Sequence, residues 1–274
     1  MKGLLFGGCS FTWGQGLYFY SDLPGQVYSK NYEYNASSVT NAHIKFKDTI
    51  RYPRLVANHF NTFEAFKIVN GGSEDETFDF FENIFNDPNR NRVYDNISHE
   101  RYKYQDFDYI IIQLSQLFRN KFYFQIEDEM FTSNVRPNST YGEFGNLLKW
   151  MEINNYSYDD WSNQLKEQQY KRLIKELKFY EENGIKTKIL CWEDDLINHI
   201  EGDSFLKERF IHIKHNNIKY NTISELQHNN NDMYIQGDYE FFGSNSPIDH
   251  HPSKKCHLVI ANSIIENLEK DLIK

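Results

Sequence analysis

"GLLFGGCSFTWGQG", Gly3 to Gly16, opens on an apolar run, passes through a knot of small residues and ends in a helix-like stretch. Gly3-Leu4-Leu5-Phe6 shows no polar alternation, which fits a strand buried on both faces. Gly3–Gly8 is therefore read as the first strand. Gly7 and Gly8 leave room for close approach of backbone or substrate at its end, and Ser10 stands at the turn that follows. A hydroxyl there faces a crevice with the N–H groups of the next helical turn nearby. The same serine also suits a plain helix cap. Cys9, still on the strand or its last bend, reads as a small buried hydrophobe rather than a nucleophile.

Working outward, similar runs recur at Phe66–Val69, Tyr109–Leu114 and Lys188–Trp192, with further candidates at Phe210–Ile213 and Met233–Ile235. Amphipathic helices are expected between them, over 51–60, 74–85, 159–183 and 253–273. Asn183-Gly184 forms a C-terminal cap for the third of these. Strands alternating with helices imply an α/β fold, a parallel sheet covered on both faces. There is no internal repeat and no long linker, so one domain is expected over 1–274. Two stretches read as insertions, a polar one at 36–48 and one at 119–158 that forms a candidate lid over the strand ends.

The formal net charge of -9 argues against a nucleic-acid partner, because phosphate affinity needs clustered Lys and Arg. Three separated cysteines give neither a disulfide framework nor a zinc spacing, and reduced thiols in a cytoplasmic setting are expected. The apolar run at Gly3–Phe6 is too short for a signal peptide's core of about 7–15 residues, and no run approaches the roughly 18 residues of a membrane span. Aromatic residues reach 16%, which suits a Phe-built core and a Tyr-rich, sugar-binding or partner-binding face. The abundance of Asn, Lys and Ile points to an AT-rich genome, such as that of a phage or a low-GC bacterium.

In a parallel sheet, sites gather at the carboxyl ends of the strands. "IVNGGS", Ile68 to Ser73, closes the second strand there, where Gly72 offers a backbone N–H to a developing oxyanion and Asn70 shapes the turn. "DHHPSKKCHLVIANSI", from Asp249, precedes the last helix. A histidine held by a nearby carboxylate is what a serine needs as general base, and His251 with Asp249 supplies that pair. His250 is expected to point away from His251, and His257 to face the core from the last helix. A metal site built from these groups lacks any standard ligand spacing, so none is expected.

Together these stretches resemble the GDSL, or SGNH, hydrolases. "GCSFTWGQG" is similar to the family's first block, "YPRLVA" to the helix that follows it, "VNGGS" to the second block and "DHHPSKKCHLVIA" to the last. The resemblance implies a flavodoxin-like three-layer α/β/α sandwich with a central, mostly parallel sheet of about five strands. It also implies ester hydrolysis through an acyl-enzyme, without a cofactor. Ser10 is then the nucleophile, His251 the base, Asp249 its partner, and the Ser10 and Gly72 amides the oxyanion hole. Two departures stand out. The usual acid position, three before His251, is Ile248, leaving the role to Asp249. The third block's Gly-x-Asn-Asp is replaced by "IIIQLSQLFRN", where Gln116 takes the oxyanion-binding Asn position, with Ser115 and Arg119 as alternatives.

The expected activity is removal of acyl groups, such as acetyl, from a carbohydrate or other small ester. Asn70 and Arg119 are candidate substrate contacts. The rival expectations are a catalytically weak binding or structural protein on the same fold and an acyltransferase using the same triad.

Overall fold

A computed structural model of the chain describes residues 1–9, 12, 14, 17–20, 40–68, 73–86, 102–126, 129–134, 141–236 and 247–273. Its strands are β1 (Gly3–Gly8), β2 (Glu64–Ile68), β3 (Phe107–Leu114), β4 (Lys121–Ile126), β5 (Glu129–Asn134) and β6 (Lys186–Cys191), followed by β7 (Ile213–His215), β8 (Ile218–Tyr220), β9 (Tyr234–Gln236) and β10 (Pro247–Pro252). Its helices are α1 (Asn41–Ile50), α2 (Tyr52–His59), α3 (Glu74–Asn86), α4 (Tyr141–Ile153), α5 (Tyr158–Glu182), α6 (Ile197–Gly202), α7 (Ser204–Arg209), α8 (Ile223–Asn229) and α9 (Lys254–Ile273).

Four parallel strands form the central sheet in the order β2-β1-β3-β6. This is the flavodoxin-like order, whose reversal between β1 and β3 opens a crevice at the carboxyl edge. All six residues of β1 are buried, as a central parallel strand requires. Leu4 and Phe6 point into a core shared with α2 and α9. Leu5 points the other way, toward Phe78 and Phe81 of α3 and Leu173, Leu177 and Tyr180 of α5. The fold is thus a three-layer α/β/α sandwich.

The expected fifth strand at Phe210–Ile213 is a remnant. Single parallel bridges join Ile189 to Phe210 and Cys191 to Thr222 along the outer edge of β6. The chain from Ile213 turns instead into the antiparallel β7–β8 hairpin. The expected strand near Met233–Ile235 is β9, which pairs antiparallel with β10.

Local chemistry sets the element ends. A capping box between Ser157 and Asp160 starts α5, and the chain leaves it through Asn183 into Gly184 at φ +83. Ser253 caps α9: its Oγ accepts from Cys256 N–H at 3.1 Å and donates to the Asp232 carbonyl at 2.8 Å.

Both segments read as insertions contain regular structure. Part of the 36–48 stretch is the first two turns of α1, which opens on a capping box between Thr40 and His43. The 119–158 stretch holds the antiparallel β4–β5 hairpin and α4. Phe122, Phe124, Leu147 and Trp150 from it pack against Trp161 and Leu165 of α5 in a small separate core. No described helix is long and apolar enough to cross a membrane.

Candidate active site

Cys9 and Thr12, just beyond β1, are joined to α2 and β3 by a buried side-chain chain that local motifs did not announce. Tyr52 Oη donates to Thr12 Oγ1 at 2.7 Å, and Thr12 Oγ1 donates to Gln113 Oε1 at 3.0 Å. The same Gln113 oxygen accepts from Cys9 Sγ at 3.2 Å, while its amide donates to the Leu114 carbonyl at 2.7 Å. Burial pushes the Tyr52 phenol well above its ordinary range, so it stays a neutral donor. The two residues held on Gln113, Cys9 and Thr12, bracket position 10. Gly8 allows this packing, because a Cβ there would run into Thr12 Oγ1. Ser10 itself lies outside the described residues, as do Asn70 and Gly72.

Cys9 is fully buried in the core beside α2 and α9, the packing role expected of it. His257 is also a core residue, fully buried and stacked on Tyr52 with ring centroids 5.5 Å apart. Its Nδ1 accepts the Tyr52 backbone N–H at 3.1 Å, which places the ring proton on Nε2. Burial, then the charges of Arg51, His251 and Lys47, hold its pKa down to about 3. A ring so committed has no free lone pair to act as base. The same effect of His251 on His257 puts the two histidines within electrostatic reach.

His251 is half-buried in β10, immediately ahead of the Ser253 cap. Asp249 lies on the same strand, its backbone paired with Ile235, and the register shifts between Asp249 and Pro252. The side chains of Asp249 and His250 are not among those described. Tyr52 at the start of α2 thus links residues at the ends of β1 and β3 to His257 of α9, and His251 lies within electrostatic reach of that histidine.

Gln116 follows β3 and precedes a short 3-10 turn over Leu117–Arg119. Its side chain hydrogen-bonds the Glu193 carboxyl, beyond the end of β6. Burial raises Glu193 above the usual carboxylate range, against a hydrogen bond from Ser224 and with Asp195 and Asp194 adding to the rise. Beside Glu193 opens a cavity of about 460 Å³ whose polar lining includes Asn198, Asn221, Thr222, Ser224 and His228. Arg119 lies with its guanidinium over the Trp192 ring, 4.7 Å from the centroid.

Glu74, the first residue of α3, was not anticipated. It accepts both the backbone N–H and the hydroxyl of Ser115, the latter at 3.3 Å, and is also hydrogen-bonded by Asn120. It thereby ties the exit of the second strand to the exit of the third. Burial, reinforced by Asp75, outweighs those hydrogen bonds and lifts its pKa from 4.5 to about 7. The folded protein therefore holds a proton here that the unfolded chain releases above pH 4.5. The stability this confers is full below pH 4.5 and is lost as pH rises through 7. In Glu74→Gln that loss is removed, so unfolding free energies from urea denaturation at pH 4.5 and 7.5 differ less than in the parent, by on the order of 3 kcal/mol. Equal pH slopes in parent and variant would show that Glu74 carries no such proton.

Among the described residues, no group of three or more His, Cys, Asp and Glu side chains is placed to hold a metal ion. No family model matches the chain, and neither does any curated protein sequence. Its backbone is similar to several solved structures at low identity. An acetyl xylan esterase from the rumen bacterium Butyrivibrio proteoclasticus shares 13% identity over 99% of this chain and 64% of that one, at a TM-score of 0.45. A carbohydrate esterase family 2 enzyme with a carbohydrate binding domain from Corynascus thermopiles (Myceliophthora fergusii) shares 14% over 98% and 67%, at 0.44. A family two carbohydrate esterase from Clostridium thermocellum shares 12% over 99% and 64%, at 0.39. The chain thus spans about two thirds of the length of these structures.

Proposed function

We propose that the chain is a serine ester hydrolase that removes a small acyl group, such as acetyl, from a carbohydrate. Ser10 Oγ attacks the ester carbonyl while His251 takes its proton. His251 then returns that proton to the departing sugar hydroxyl, leaving an acyl-enzyme that water, activated by the same imidazole, hydrolyses. Asp249 orients His251, and the amides of Ser10 and Gly72 bind the oxyanion. Gln116 joins them only by exchanging its bond to Glu193.

The observation that carries the proposal is the buried Tyr52–Thr12–Gln113–Cys9 network, which grips both sides of position 10 at the strand end. A cap alone does not need such fixation, whereas a nucleophile must be held within fractions of an ångström. The polar cavity beside Glu193 offers amides and hydroxyls that suit sugar hydroxyl groups.

The purified protein is expected to hydrolyse 4-nitrophenyl acetate and to take up a fluorophosphonate probe, with acetylated sugar slowing the labelling. A catalytically silent binding protein on the same fold is the alternative, favoured by the engagement of Gln116 with Glu193. Absence of both turnover and labelling selects that alternative.

A further inference from the structure

Arg119 presents a guanidinium with one buried nitrogen that no described residue satisfies. The group is only partly exposed, and Nη1 is buried with no hydrogen-bond partner. Among the described residues the Trp192 ring lies beneath it, a stacking that fixes its plane without using an N–H donor. A guanidinium carries five donors and no acceptor, so a buried nitrogen left unpaired calls for an acceptor from outside.

Two carboxylates at this edge are engaged by other groups. Asp195 Oδ2 accepts the Leu117 N–H at 2.9 Å, and Glu193 is bonded by Ser224 and Gln116. The position is also telling. Leu114 and Cys191 are register partners at the ends of β3 and β6. Trp192 directly follows the second of these, and Arg119 stands five residues after the first. Both therefore sit at the carboxyl edge where such folds bind ligands.

We propose that Arg119, held over Trp192, binds a carboxylate on the substrate, so that the ester hydrolysed is carried by an acidic saccharide. This rests on the hydrolase reading above. The acidic rim at Glu193, Asp194 and Asp195 repels an anion, so the arginine decides whether such a substrate is accepted.

The test compares a monoacetylated methyl galacturonoside with the matching monoacetylated methyl galactoside. The parent protein prefers the acidic ester in kcat/KM. In Arg119→Gln that preference falls about ten- to a hundredfold, the range of a charged hydrogen bond. Arg119→Lys, which keeps the charge but not the planar fork, retains part of it. If the parent shows no preference, or Arg119→Gln loses stability while keeping the preference, Arg119 only packs on Trp192 and the proposal is overturned. Direct binding of unesterified methyl galacturonoside, followed by titration calorimetry, separates this proposal from the hydrolase reading. Binding lost in Arg119→Gln, without ester turnover in the parent, upholds the carboxylate site and sinks the hydrolase. Turnover without such binding does the reverse.

Discussion

Ser10→Ala is expected to lower ester turnover by about 10⁴-fold or more, while urea unfolding stays within about 1 kcal/mol of the parent. The first expectation follows from chemistry. A serine hydroxyl is too weak an acid to attack unaided, and no neighbouring group substitutes for it once it is gone. Cys9 is fully buried and gives its S–H to Gln113, and Thr12 spends its hydroxyl on the same oxygen. The second expectation follows from placement, because Cys9 and Thr12, on either side of position 10 in sequence, are anchored to Gln113 by their own side chains. His251→Gln should cause a loss of similar size, and the double variant little more than either alone. Nucleophile and base act as a unit, so their losses do not add. Turnover that survives Ser10→Ala would remove Ser10 from the mechanism, and losses that multiply in the double variant would break the pairing of Ser10 with His251.

The sheet was legible because its strands announce themselves. Leu4-Leu5-Phe6 and Ile110-Ile111-Ile112 are apolar runs with no alternation, and both proved buried on two faces. Where the edges differed, polar residues were the cause. β2 begins at Glu64, a fully buried acid in an ion pair, which no hydrophobic pattern reveals. Most of α1 was read as part of a polar insertion for the same reason, since its inward residues are His43, Lys47 and Asp48. The β4–β5 hairpin was hidden because its apolar residues answer to a local core on α5, not to the main sheet. In the candidate site, the blocks around Ser10 and His251 were readable as short motifs. Gln113 and Glu74 were not, and Tyr52, though part of the quoted YPRLVA, gave no sign of its bond to Thr12, because each acts across long separations in sequence. For Gln113 the available sign was a lone glutamine directly after the Ile110–Ile112 run.

Arg51→Met is expected to destabilise the fold by about 3–5 kcal/mol, the penalty for leaving buried charges without their partner. Arg51 joins the end of α1 to the start of α2 and is fully buried. Its Nη2 lies 2.7 Å from Glu64 Oε1 at the start of β2, and its Nη1 lies 3.3 Å from Asp48 Oδ1. Asp48, fully buried, is paired with Arg51 and with Lys47, whose Nζ lies 3.1 Å from the same oxygen. Lys47 is a weak substitute, since burial, aided by Arg51, lowers its pKa to about 7. Glu64 would be left with Arg54, which is partly open to solvent. The cluster also borders the turn after β1, because a Cβ placed on Gly14 would press on the Arg51 and Lys47 side chains. Ester turnover in Arg51→Met should therefore fall before global unfolding sets in. Urea denaturation measures the stability term, and Arg51→Met/Glu64→Leu should recover part of it by removing one stranded charge. A loss below about 1 kcal/mol in the single variant, or none recovered in the double, would mean that these charges do not hold the helices to the sheet.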